Sequence, residues 1–204
     1  MAKLFRLQRG EAAVALFTIA YVAGFTAWFL LRGNYEFVVY VVTMLVLIAL
    51  VGRSLRTTNY PLPMLWALSA WGLLHMAGGG VPVGDTVLYS AQVVPLTPQN
   101  GEMTLLKYDQ LVHAYGFGVT AWVLWHLLRH HYPMLAGSRT ILVYPALAAM
   151  GLGAVNEMIE FAAVLSVPET NVGGYLNTAL DLVFNALGAV LAMVFVAVAC
   201  GRRP

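Results

Sequence analysis

The chain has 204 residues, of which 60% are hydrophobic and only 10% are charged, whereas soluble domains carry about a quarter charged residues. So little charge cannot cover the outside of a water-soluble globule, and we expect lipid to be the solvent. A net charge of +2, with no basic stripe interleaved with aromatic residues, argues against a nucleic-acid partner. The single cysteine, Cys200, excludes an internal disulfide and a cysteine-rich metal cluster.

Six apolar segments are candidates to cross a bilayer, which needs roughly 20 residues per helix. The first follows Lys3, Arg6 and Arg9 and is too long for the apolar region of a cleaved signal peptide. The sequence therefore predicts an all-α, polytopic membrane protein with a single domain over residues 1–204. Its six transmembrane helices are predicted at about 11–31, 35–52, 62–78, 107–129, 139–166 and 177–199.

Two connections between these helices have distinctive compositions. The segment RSLRTTNYPLP, after the second helix, contains two prolines that break helices. The longest connection, residues 80–106, is rich in proline and glycine but also holds apolar pieces such as TVLYSAQVV. Loops of this length are usually functional or disordered. The composition favours a partly ordered cap that rests on the bundle.

The basic residues predict the orientation of the helices. Cytoplasmic connections of membrane proteins carry an excess of Lys and Arg. With six spans, one side holds Arg32 and Lys107, and the other holds Lys3, Arg6, Arg9, Arg53, Arg56, Arg129, Arg139, Arg202 and Arg203. Nine against two places both termini in the cytoplasm and the long loop outside, which for a bacterial chain is the periplasm or the cell exterior.

Polar residues on the last four helices fall at one level. Counted from the outer helix ends, at about 1.5 Å per residue, they lie within a slab some 10 Å thick in the outer half of the bilayer. They are His75, Asp109, His113, Glu157, Glu160, Asp181 and Asn185, with Tyr108 at the border. Asn156 lies about 100° around its helix from Glu157 and is left out of this polar layer.

Charge makes the polar layer unusual. Five of the nine acidic residues lie at helix ends or in loops, and the other four are Asp109, Glu157, Glu160 and Asp181. No Lys or Arg lies opposite them inside the helices, and Lys107 only borders the layer. Unpaired carboxylates in a bilayer cost several kcal/mol. Bound cations, protonation or a water-filled cavity open to the outside would offset that cost.

A bound divalent metal is the most specific of these three ways to offset the cost of the buried carboxylates. Helical bundles build metal sites from carboxylates and imidazoles spaced i,i+3 and i,i+4 on facing helices. The candidate ligands are His75, Asp109, His113, Glu157, Glu160 and Asp181. They suit Zn, Mn or Fe, or Mg or Ca with carboxylates alone. A proton-sharing or hydrogen-bonded wet cavity is the alternative.

Each polar residue also has a purely structural interpretation. His75 beside three glycines is able to cap a helix end, and Asp109 and Asp181 are able to stabilise helix N-termini. Asn185 is able to hydrogen-bond a neighbouring helix. Glu157 and Glu160 are harder to explain in this way because they are mid-helix, close together and flanked by apolar residues. In an enzyme, we expect Glu157, Glu160, Asp109 and His113 to be the catalytic residues, with one glutamate as base.

The segment Tyr108-Asp109, Leu111-Val112-His113 and then Gly116 resembles the Tyr-Asp-x-Leu-Val-His motif of the bacterial inner-membrane YjdF family. The ending Asp181-x-x-x-Asn185-x-x-Gly188 is similar to VanZ-like membrane proteins. These resemblances cover about residues 65–200. They imply a multi-pass helical membrane protein connected with the cell envelope, and they establish no reaction.

Three functions are compatible with these observations. The first is an outward-facing site, with or without catalysis, for an envelope lipid or lipid-linked molecule. The second is a proton- or cation-coupled transporter, although the inner halves of the helices supply no polar path, and transporters usually bind at the midplane. The third is a non-catalytic scaffold whose polar layer fixes helix packing. Membrane lipids are the expected partners in each case, and the oligomeric state stays open.

Overall fold

The computed structural model describes residues 7–33, 35–98, 103–166 and 173–201. These residues form the helices α1 (Arg9–Arg32), α2 (Tyr35–Thr58), α3 (Leu62–Gly80), α4 (Tyr108–His131), α5 (Thr140–Ser166) and α6 (Tyr175–Gly201). The connection from α3 to α4 carries a small antiparallel hairpin of β1 (Pro82–Val83) and β2 (Thr86–Val87), followed by a 3-10 turn at Leu88–Ser90. A second 3-10 turn, Pro133–Leu135, lies between α4 and α5.

The predicted end of the second helix, at about residue 52, is wrong. α2 continues to Thr58 because the residues after 52 include no helix breaker. Asn59 then adopts a left-handed φ of 51°, and Pro61 disfavours helical backbone in the residue before it. The carbonyls of Thr57 and Thr58 accept hydrogen bonds from His130 Nε2 (2.9 Å) and His126 Nε2 (3.0 Å), respectively. Two histidines of α4 therefore cap the end of α2.

The three glycines at the end of α3 belong to the helix, which extends to Gly80 rather than to about residue 78. All three are buried, and an added Cβ would overlap an aromatic ring at each position. The rings are Tyr89 at Gly78, Phe37 at Gly79 and Phe25 at Gly80. Glycine is therefore needed here for the close approach of rings to the helix backbone.

The helices form two packed groups joined by α3 and α4. α4, α5 and α6 pack against one another, while α1 packs mainly on α3 and α2 on α1. The core of the first group is made of small residues such as Ala121, Ala149 and Ala189. Small residues let membrane helices approach closely. At the closest point, Gly188 of α6 lies against the backbone of Ala114 in α4.

Five of the described helices, α1, α2, α4, α5 and α6, are long and apolar enough to cross a membrane. α3 has 19 residues and does not reach the same level of hydropathy. Large apolar side chains cover much of the outside of the bundle, with Phe195 74% and Leu165 71% exposed. The protein is therefore a multi-pass helical membrane protein, and the number of six spans stays a prediction.

Candidate functional site

His113 of α4 lies at the centre of the polar layer and is buried. Its Nδ1 is 2.9 Å from Oδ1 of Asn185 on α6. An amide oxygen only accepts hydrogen bonds, so Nδ1 carries the proton and the lone pair of a neutral imidazole lies on Nε2. This Nε2 is 3.5 Å from Asp109 Oδ1 and 3.9 Å from Glu160 Oε1. The free nitrogen of His113 therefore faces two carboxylates from different helices.

Two further carboxylates are buried without adequate partners. Glu157 of α5 has Oε1 3.6 Å from His113 Nδ1, yet neither of its oxygens accepts a hydrogen bond from the described residues. Asp181 of α6 is fully buried, and its Oδ1 likewise has no partner there. A buried carboxylate that lacks hydrogen-bond donors is strongly unfavourable. These oxygens are therefore placed to bind a cation or a proton.

Asn177, in the first turn of α6, links the two aspartates and was not predicted from the sequence. Its Nδ2 donates to Asp181 Oδ2 at 2.5 Å and to Asp109 Oδ2 at 3.3 Å. Its Oδ1 accepts a hydrogen bond from the Lys107 ammonium group. Asn177 precedes Asp181 by one helical turn, so i,i+4 spacing is the signal that would have identified it.

Glu160 also has a partner outside the predicted set. Asn156 donates from Nδ2 to Glu160 Oε1 at 2.8 Å, one turn along α5. On the same helix, Gly153 leaves room for Asn185, whose Nδ2 would lie 2.7 Å from an added Cβ. Asn156 therefore belongs to the layer although its position around the helix argued against it, because the long Glu160 side chain reaches it.

Side-chain atoms that are able to coordinate a metal form two groups, and His113 belongs to both. Asp109, His113 and Asp181 bring one potential ligand atom each within 4.8 Å of one another, and His113, Glu157 and Glu160 do the same. Lys107 is the only ammonium bonded into this network among the described residues. With all four carboxyls ionised and His113 neutral, the one ammonium group would leave three negative charges to be balanced. Chemically, the site is suited to one or two divalent cations, or to a cation together with protons.

His75 and Tyr108, both predicted for the layer, have other partners. His75 lies outside both ligand groups. The hydroxyl of Tyr89 is 2.5 Å from Nδ1 of His75 and 3.0 Å from the carbonyl oxygen of the same residue. Burial raises the pKa of Tyr89, so the phenol remains a neutral hydrogen-bonding group. Tyr108 donates its hydroxyl to Leu74 O at 3.0 Å and joins α4 to α3.

The fold and the site together define a class: helical membrane proteins in which spanning helices converge on a buried carboxylate–histidine cluster. The chain belongs to the family described as Predicted membrane protein (DUF2238), whose model matches residues 13–202. This is the YjdF-like family that the motif around His113 predicts, whereas a relation to VanZ-like proteins stays a prediction. No curated protein and no solved structure matches the chain.

Proposed function

We propose that the protein holds a divalent metal ion in an outward-facing site of the bacterial inner membrane and uses it to bind, or act on, an envelope lipid or lipid-linked molecule. The observation that carries the proposal is Glu157, which is buried, lies beside His113 and has two oxygens without hydrogen-bond partners among the described residues. A membrane protein has little reason to keep such a carboxylate unless something else neutralises it.

The metal ligands are drawn from His113 and the four carboxylates. Nε2 of His113 provides the nitrogen donor, and the hydrogen bond from Nδ1 to Asn185 fixes the orientation of the ring, as outer partners commonly do in metal sites. A nitrogen donor together with carboxylates suits Zn, Mn or Fe better than Mg. His75 takes no part in this set, because it belongs to neither group of converging ligand atoms.

An outward-facing site requires α3 to cross the bilayer, so that six spans return both termini to the cytoplasm. At about 1.5 Å per residue, 19 residues extend about 28 Å, close to the roughly 30 Å thickness of the hydrocarbon core. The hydropathy of α3 is lowered by His75, Pro63 and two tryptophans as well as by its glycines, and the glycines at its end pack against aromatic rings. The excess of Lys and Arg on one side then gives the orientation.

The predicted depth of the site supports the proposed substrate class. A layer near the outer ends of the helices lies at the depth of lipid headgroups and linkages, where a phosphoryl or carbonyl oxygen is accessible. A metal held there would supply a Lewis acid for such an oxygen. Glu157 and Glu160, whose oxygens lie 3.6 Å and 3.9 Å from His113, would be the candidates to accept a proton at this site.

Metal analysis of the purified protein tests the proposal. We expect a stoichiometric divalent metal in the wild type by inductively coupled plasma mass spectrometry, and its loss in Glu157→Gln, Asp109→Asn and His113→Ala. Asp85→Asn is the matched control because Asp85 is an exposed carboxylate in the hairpin. Metal contents equal in all four variants would contradict the proposal.

A second experiment tests the substrate class. Wild-type protein and Glu157→Gln are incubated with lipids extracted from the bacterial envelope, and released headgroups and bound lipids are measured by mass spectrometry. We expect turnover, or lipid binding in addition to the phospholipid that the protein already carries after purification, and we expect a chelator and Glu157→Gln both to abolish it. Cation-driven uptake into proteoliposomes, abolished by the same substitution, would instead support a transporter. If every site variant behaved like the wild type, the result would instead support a non-catalytic scaffold protein.

A further inference from the structure

A second feature of the protein is an apolar cavity of about 440 Å³ between the α1–α2–α3 group and α4. Its lining includes Val14, Ile48, Leu55, Leu68, Trp71 and Leu124. The cavity is distinct from the carboxylate–histidine site. Trp71 packs on Gly116 and lies edge-on to Phe117 at 5.9 Å, and Phe117 lies between Trp71 and His113.

Polar groups in the lining are bonded to one another rather than directed at a ligand. Thr18 Oγ1 and Ser69 Oγ are 2.7 Å apart, and the Tyr21 hydroxyl donates to Ser69 O at 3.0 Å. Thr120 donates to a carbonyl of its own helix, and Glu11 is paired with Arg56 at 2.6 Å. With these groups satisfied, the cavity offers nothing to water, and apolar cavities of this kind do not hold water.

The shape of the cavity follows the helix axes. On α1 its lining runs from Glu11 to Tyr21, which at about 1.5 Å per residue spans about 15 Å. One leaflet contributes about half of the roughly 30 Å hydrocarbon core, so the cavity is as long as a lipid tail within one leaflet. The cavity is partly open, and hydrocarbon is the solvent around these helices. An empty cavity would weaken packing in proportion to its volume.

We propose that this cavity is a binding site for one acyl chain of a membrane phospholipid, lying along the helices. The residues that line it predict an occupant that is apolar, elongated and flexible. With both termini in the cytoplasm, the occupant comes from the cytoplasmic leaflet. The proposal does not depend on metal or on the reaction of the carboxylate–histidine site, so either can fail without the other.

Gly52 allows a specific test. It lines the cavity, and a Cβ added to it meets no atom within 4 Å, so Gly52→Leu is designed to place an apolar side chain in space that the lipid tail would occupy. Gly151 of α5 also has open space around its Cβ but lies outside the lining, and Gly151→Leu is the matched control. We expect wild type, Gly151→Leu and Glu157→Gln to retain stoichiometric phospholipid after detergent purification, and Gly52→Leu to retain several-fold less.

A measurement in bilayers makes the test independent of detergent. Single-tryptophan protein that keeps only Trp71 is reconstituted in phosphatidylethanolamine and phosphatidylglycerol vesicles whose acyl chains are brominated. We expect strong quenching of Trp71 fluorescence, reduced several-fold by Gly52→Leu and unchanged by Gly151→Leu. Equal lipid retention and equal quenching in the two glycine variants would overturn the proposal, and so would a wild type that retains no lipid and shows no quenching.

Discussion

Gly153 controls the residue that orients His113. Asn185 holds His113 Nδ1 at 2.9 Å, and the absence of a side chain at Gly153 leaves space for the amide of Asn185. In Gly153→Ala the new methyl group would push that amide away, because it would lie 2.7 Å from Nδ2. Loss of such an outer partner typically weakens metal affinity by about 10- to 100-fold. We expect this loss for Zn or Mn in calorimetric titration of the purified protein.

The control for that substitution lies two residues away on the same helix. Gly151 is exposed, and an added Cβ there meets no atom within 4 Å. Gly151→Ala should therefore leave metal affinity unchanged and, because alanine favours helix, stabilise the protein by up to about 1 kcal/mol. Equal metal affinities in Gly151→Ala and Gly153→Ala would contradict the role assigned to Asn185.

Asn177 is the residue that holds the two aspartates together. Its amide donates to both carboxylates, and its oxygen accepts from Lys107. Hydrogen bonds to charged groups contribute about 1.5–3 kcal/mol each. We therefore expect Asn177→Ala to lower the free energy of unfolding by about 3 kcal/mol, measured by denaturant titration in micelles with chelator present. Thr178→Ala, at a half-buried neighbouring position, should change it by less than about 0.5 kcal/mol.

At the scale of the helix, the contact of α4 with α6 positions the whole site, because α4 carries Asp109 and His113 while α6 carries Asp181 and Asn185. A Cβ at Gly188 would overlap the backbone of Ala114, which cannot move as a flexible side chain does. We expect Gly188→Ala to force the helices apart and destabilise the protein by about 3 kcal/mol. Gly24→Ala, where a Cβ meets no atom within 4 Å, should be neutral or stabilising in the same unfolding assay.

Tyr89 anchors the first part of the connection from α3 to α4. Tyr89 follows the hairpin, lies on Gly78 and bonds through its hydroxyl to His75. Tyr89→Phe keeps the ring but leaves His75 Nδ1 without this partner, at a cost of about 1–3 kcal/mol. We expect faster amide hydrogen exchange in residues 82–98. Tyr115→Phe, which removes a bond from an exposed hydroxyl to Ala67 O, should leave that exchange unchanged.

Helix periodicity explains which parts of the site are predictable. Spacings of three and four residues are enough to predict that Asp109 shares a helix face with His113, and Glu157 with Glu160. Acidic residues inside a membrane helix are rare, so these few positions stand out in the sequence. The partner of His75 is not predictable in this way, since Tyr89 reaches it from a connection whose path no periodicity describes. The sequence misplaces the end of α2 for a different reason. The basic residues in RSLRTT suggest a loop, although no residue in this segment stops a helix before Asn59.

At the scale of the whole molecule, the two helix groups contribute different features. All residues of the two ligand groups come from α4, α5 and α6. The apolar cavity is lined mainly by α1, α2 and α3. α3 connects the two, because Trp71 lines the cavity and packs on Gly116, one turn from His113. The side of the membrane on which the site lies depends on whether α3 crosses the bilayer, because α3 precedes the three helices that carry the ligand groups.

Cysteine labelling tests the predicted topology. The chain has one cysteine, so Cys200→Ser provides a background without thiols. Single cysteines then replace Thr57 in the last turn of α2, Asp85 in the hairpin and Met134 between α4 and α5, all at exposed positions. If α3 spans the bilayer, a membrane-impermeant maleimide labels Asp85→Cys in intact bacteria.

The other two positions distinguish a spanning α3 from one that lies at the surface. Thr57→Cys and Met134→Cys should react only after the membrane is permeabilised, because both flank helices that bring the chain back to the side rich in Lys and Arg. Equal labelling of Thr57→Cys and Asp85→Cys would mean that α3 does not cross. With five spans the termini would lie on opposite sides, and the carboxylate–histidine site would then face the same side as Thr57 rather than the outside.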